Sequence, residues 1–295
     1  MSHFINFFST LPVALKRGFL VFSCLILLTG CSSTKLAYNF LDFLLNWYVG
    51  NYISLEKSQK ETTRNAIDDF HSWHQRTQLP LYANYIEGLI ARLENDNITA
   101  EFIHKETDQV QDMVDISFNH LKPAIAELLA SLSEEQAEEL LKNLKKNRDK
   151  FKKKYLDISK KKLFKKREDT FKDNASSFFG RFSKQQKQSI ELWSKTLTPY
   201  EALTLVQQQT WADELASALT VRHNRTTLAG KLDKLMFYRT DEWSPKLEKI
   251  LDYNQQLTYT VIAQLVNTRS DKQRKKMTKK LRSYQSDFIE LSQKK

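Results

Sequence analysis

Two histidines three residues apart, His71 and His74, follow Asp68 by about one helical turn. On a helix that spacing puts two imidazoles and a carboxylate on neighbouring faces, the donor set that a divalent metal or an acid/base centre needs. The His-Glu-x-x-His pattern is missing, and Phe70, Trp73 and Pro80 stand nearby. Packing is the simpler account, with a ring hydrogen-bonding the Leu79-Pro80 turn. No metal or cofactor is expected; His71, His74 and Asp68 are the candidates should there be one. His104, Asp108, Asp112 and Asp115 share one helix face. Cation sites need oxygens from several elements, so this stripe reads as solvated. His120 and His223 stand alone. The sequence has no Gly-x-Ser-x-Gly elbow, Walker loop or Gly-rich phosphate cradle. No catalytic residue is assigned, and the chain is not expected to be an enzyme.

Charge offers a second chemistry. The formal net charge is +11, unevenly distributed. Residues 31–141 carry net −10, residues 142–172 net +11 and residues 269–295 net +7. The strongly basic stretch reads as one helix, with Leu140, Leu144, Phe151, Tyr155 and Ile158 as its packed stripe. Lys152, Lys153, Lys154, Lys160, Lys161, Lys162, Lys165, Lys166 and Arg167 would then face outward. One reading is a solvated face, partly neutralised by acids from residues 31–141. The other is contact with an anionic surface: phospholipid headgroups, lipopolysaccharide phosphates, peptidoglycan carboxylates or an acidic protein. Each Lys near an anionic membrane is worth about 1 kcal/mol. Nucleic acid is not expected, because the run is Lys-dominated and has no stacking pattern.

Residues 1–30 hold two bases, Lys16 and Arg17, and no acid; the apolar run Phe19 to Thr29 follows. A basic region before about 7–15 apolar residues is a secretory signal. Eleven helical residues rise about 16 Å, short of a hydrocarbon core of about 30 Å. The run ends Leu28-Thr29-Gly30-Cys31, which resembles the lipobox of bacterial lipoproteins. The resemblance implies cleavage between Gly30 and Cys31 and acylation of Cys31, whose two or three chains suffice for a stable anchor. Ser32 follows, and by the same resemblance a residue other than Asp there implies the outer membrane, facing the periplasm, with the inner membrane as the lesser alternative. Cys24 would leave with the signal, so the mature chain has no thiol for a disulfide or a nucleophile.

Elements come next. The chain has six Gly and five Pro in 295 residues, too few for the tight turns of a barrel, sandwich or doubly wound sheet. Stripes at steps of three and four recur: Tyr82, Tyr85, Ile86, Leu89 and Leu93, then Met277, Leu281, Tyr284, Phe288 and Leu291. Ser133 with Gln136, Ser183 with Gln186, Thr198 with Glu201 and Ser270 with Gln273 read as capping boxes. Leu79-Pro80 is expected to stop a helix, and Pro123 to end or kink another. Helices are predicted near 36–53, 56–77, 81–95, 99–121, 123–131, 134–172, 174–195, 199–222, 226–238, 245–268 and 271–292. The expectation is an all-α, elongated multi-helix bundle. Residues 31–35 form a short lipidated tether, and residues 36–295 form one periplasmic domain, with a possible sub-boundary near 173–183.

Residues 36–53 are very apolar but carry a polar stripe, Asn39, Asp42, Asn46 and Gly50. The segment is either a core helix with a narrow wet face or an interfacial helix with aromatics at headgroup level. The stretch Leu36-Ala37-Tyr38-Asn39-Phe40-Leu41-Asp42, then Trp47 and Tyr52, Trp73-His74 and Leu79-Pro80-x-Tyr82, resembles an uncharacterised family of proteobacterial lipoproteins, domain of unknown function 6279. The likeness is carried by the signal, the lipobox and residues 31–95; the rest matches in helical character. It implies a helical, lipid-anchored envelope protein and brings no activity, cofactor or site residues. The functional expectation is a non-enzymatic scaffold or adaptor whose basic helix meets an anionic partner. The alternatives are an envelope enzyme or metal-binding protein using His71, His74 and Asp68, and a binder of lipid or peptide cargo.

Overall fold

The computed structural model of the chain describes residues 32–94, 97–236 and 244–294, without the side chains of Ser32 and Ser33. Gly30, Cys31 and the expected signal lie outside the described residues. Those described form eleven helices and no strand: α1 Ser32–Asn39, α2 Leu41–Gly50, α3 Lys57–Arg92, α4 Ala100–Ala130, α5 Glu134–Tyr155, α6 Lys160–Phe179, α7 Lys184–Thr196, α8 Glu201–Thr220, α9 Arg225–Met236, α10 Pro245–Asn267 and α11 Asp271–Ser292. The all-α expectation stands.

Several expected boundaries move. Pro80 and Pro123 interrupt neither α3 nor α4, which run 36 and 31 residues, about 54 and 46 Å. A proline removes one ladder bond, and the burial of Leu79 against Tyr38 of α1 and Leu291 of α11 holds the helix across Pro80. The single helix expected over 134–172 is two: α5 ends at Tyr155 and α6 starts at Lys160. Ser159 caps α6 by accepting from Lys162 N at 3.3 Å. With Lys162 at N3, that start has no capping-box signature. α6 then runs through 173 and ends at Gly180, whose φ of +68° is available to glycine and strained for other residues. Thr198 and Glu201 form no capping box; Tyr200 is the N-cap of α8, and the Glu201 side chain is used elsewhere. The residues read as a tether are helical from Ser32, and Lys35 pairs with Glu290 at 2.6 Å on α11.

Two apolar cores lie towards opposite ends of the long helices. One gathers Leu55, Leu129, Leu132, Leu140, Leu144, Leu219 and Leu232 from the link before α3, the end of α4, the α4–α5 link, α5, α8 and α9. The other gathers Ile90, Phe179, Ile190, Leu265, Met277 and Leu281 from the end of α3, α6, α7, α10 and α11. α3 packs along α11 and against α4; α4 lends side chains to both cores, while α3 lends them to the second and meets the first through Gln59.

Each core is closed by the same device. Gln59 and Gln136, each at N3 of its helix, exchange amide bonds at 2.9 and 2.7 Å; Gln186 and Gln273 do so at 3.1 and 2.9 Å. Each amide also accepts from its own N-cap N–H and donates to the carbonyl two residues before the partner's N-cap: Ser131, Ser54, Thr268 and Arg181. Four helix starts thus become two face-to-face pairs. A buried arginine closes each end again: Arg222 donates to Leu219 O and Leu132 O, and Arg269 to Val266 O and Leu93 O.

Candidate functional site

The histidine pair lies between the cores, where α1 crosses α3. His74 is committed to two tyrosines: Nδ1 lies 3.0 Å from Tyr38 Oη and Nε2 lies 3.3 Å from Tyr82 Oη, which continues to Ser117 Oγ at 3.3 Å. The expected bond to the Leu79-Pro80 turn is replaced by these, because the helix does not turn there. Burial, and then the neighbouring His71, push the His74 pKa down to about 4. Burial also lowers His71, against the pull of Asp42 and Asp68. Its Nε2 is buried without a hydrogen-bond partner, and its ring meets the Tyr38 ring edge at 4.7 Å. Asp68 is exposed. His120, read from sequence as solitary, stacks on Trp73 at 3.8 Å with rings 5° from parallel. No group of three His, Cys, Asp or Glu able to hold a metal ion occurs among the described residues. The arrangement is an aromatic box that keeps a neutral imidazole between two phenols.

The basic segment resolves into three roles at the bend Leu156–Ser159. Lys152 and Lys153 are exposed on the last turn of α5, and Lys160, Lys161 and Lys162 on the first turn of α6. Lys154 and Lys166 are drawn inward over the Tyr155 ring, at 5.1 and 5.5 Å. Burial, helped by Lys154, lowers the Lys166 pKa. Lys165 is exposed and pairs with Asp169 at 2.7 Å. Arg167 is no surface contact: it is buried, bonded to Glu201 at 2.6 Å and Leu197 O at 3.2 Å, with its guanidinium over the Tyr200 ring. A guanidinium, a carboxylate and two phenols from α5, α6 and the start of α8 fix the bend. Lys145, Lys165 and Lys172 pair with acids one turn away on their own helices, not with acids of residues 31–141.

The sequence reading missed the glutamine pairs and the Arg167–Glu201 bridge, whose partners are far apart in the chain. One signal for the first was present. N3 is Gln, not Glu, in all three boxes at Ser133, Ser183 and Ser270, and only an amide can accept from its own N-cap and donate across.

No curated protein and no solved structure matches the chain. A family model does, over residues 51–248, or 198 of 295. It leaves out Leu36–Asp42, where part of the likeness was read, and takes in far more of the C-terminal half than residues 31–95. The span holds the first glutamine pair, the basic bend and the aromatic box apart from Tyr38, so these features lie in the part that the chain shares with the family of unknown function DUF6279, to which it belongs.

Proposed function

We propose that the chain is a lipid-anchored lipoprotein of the bacterial outer membrane, facing the periplasm. Its helical body acts as a non-enzymatic scaffold or adaptor, and the lysines around the α5–α6 bend engage an anionic envelope component or acidic protein. The anchor rests on the signal and the lipobox at Cys31. The contact surface rests on one observation: Lys160, Lys161 and Lys162 occupy the first turn of α6, the positive end of the helix dipole. Cations there oppose the dipole. Lys160 recovers part of that cost over the Phe164 ring at 5.5 Å, and a local choice that costs stability beyond its structural return marks a functional surface.

The test uses the mature chain with Cys31→Ser, so that acyl chains do not mask the contact. Lys160, Lys161 and Lys162 are changed to Glu. Sedimentation with phosphatidylglycerol vesicles or sacculi at low salt is expected to fall at least fivefold, while Tm rises by about 2–4 °C as the dipole is complemented. Wild-type protein that fails to sediment at low salt ends the proposal. Anchoring is tested separately, since unprocessed Cys31→Ser protein is expected to leave the outer-membrane fraction.

A further inference from the structure

Residues 36–50 carry an apolar row that the body does not cover. Leu36, Phe40, Phe43 and Trp47 are 56%, 53%, 61% and 54% exposed, at steps of four, three and four. The other side of the same stretch packs: Tyr38 is buried beside Leu79 and Leu291, and Tyr48 and Val49 pack on the first core. Asp42 and Asn46 of the expected wet stripe are half-buried, with Asn46 Nδ2 donating to Asp42 O at 2.9 Å. Asn39 and Gly50 of that stripe are exposed, so the outer face of the segment carries the apolar row beside polar positions.

We infer that this row docks α1 and α2 in the headgroup layer of a phospholipid surface. Three observations select that occupant. The row begins five residues after Cys31 and seven after the apolar run 19–29, and the intervening chain is helical from Ser32. Whatever holds the N-terminus at a bilayer therefore holds the row beside it. Trp and Phe standing from a helix with polar flanks suit the headgroup layer, where amphipathic helices lie in plane. Lys294, which donates to Asn39 at 3.2 Å, is a cation beside the row, and Lys35 on α1 is paired with Glu290 and Asp287 of α11. Four half-exposed side chains of this size offer about 450 Å², well below the roughly 800 Å² that a stable dimer buries on each partner.

The inference deepens the anchoring reading, and its test separates the two. Full-length protein carrying Cys24→Ser is reconstituted into vesicles of phosphatidylethanolamine and phosphatidylglycerol. Nitroxides are placed at Phe43→Cys, Trp47→Cys and, as an exposed control on α3, Thr62→Cys. Collisions with a water-soluble nickel complex at 43 and 47 are expected to be at least fivefold rarer than at 62. Positions 43 and 47 as accessible as 62 would overturn the inference. So would equal protection in lipid-free protein of dimer mass, which puts a second copy on the row. Mass spectrometry of the N-terminal peptide reads acylation independently. Protection without acylation leaves docking standing and removes the anchor; acylation without protection does the reverse.

Discussion

Protonating His74 means charging an imidazole sealed between Tyr38 and Tyr82, with His71 beside it. The unfolded chain takes that proton near pH 6.5, the folded chain near pH 4. Between these values the unfolded state binds more protons, so stability drops as pH falls and is flat above about 7. The span corresponds to as much as about 3 kcal/mol. Urea midpoints measured from pH 7.5 to 4.5 are expected to decline on this course, and the decline is expected to shrink in His74→Gln. An unchanged pH dependence in that variant would assign the effect to other groups. The register of His71 and His74 on one helix was legible from their spacing, but their neighbours were not. Tyr38 and His120 reach them from other helices, and no local pattern encodes such a crossing. Asp68, one turn away in sequence, is exposed and acts on His71 only through its charge.

At the scale of the element, starts were more legible than stops. A capping box is local chemistry, and those at Ser133, Ser183 and Ser270 are all formed. Pro80 and Pro123 misled because a local cost decides only when packing does not oppose it; both sit inside helices that bury residues towards each end. The break at 156–159 was hidden because Ser159 caps without a Glu or Gln at N3, inside a run whose charge is continuous. The box residues also do something that a local motif does not express. Gln136→Glu would keep the acceptor for its N-cap but lose the donor to Ser54 O and Gln59 Oε1, facing them with a carboxylate. Buried unsatisfied acceptors cost about 1–3 kcal/mol, more beside a charge. Gln136→Glu is therefore expected to lower stability by about 3 kcal/mol in denaturant titration, whereas Gln185→Glu, exposed on the neighbouring box, is expected to change it by less than about 0.5 kcal/mol. Equal effects at the two sites would mean that the amide exchange contributes nothing beyond the cap.

For the whole molecule, composition announced an elongated helical body and a bipolar charge, and the structure agrees on the helices. It could not announce that the apolar residues divide into two cores, since stripes at helical spacing name the faces that pack and not their partners. Two cores raise the question of whether the ends unfold separately. The links at 156–159 and 197–200 favour separation, being short and fixed by few side chains: Tyr155, Arg167, Tyr200, Glu201 and Asn254, which bonds Thr198 N and O. α3 and α4 oppose it, because each is continuous and buries residues at both ends: Thr63 and Ile90 on α3, Glu106 and Leu129 on α4. Melting one end frays both long helices and takes the other end's packing with it. One calorimetric transition is therefore expected, with an enthalpy of about 180 kcal/mol for some 260 residues. Leu132 and Ile190 are almost fully buried in opposite cores. Leu132→Ala and Ile190→Ala are each expected to lower that one Tm by about 5–10 °C. If either variant splits the transition, leaving a second peak at the wild-type temperature, the long helices do not couple the ends and the molecule is two bodies sharing a spine.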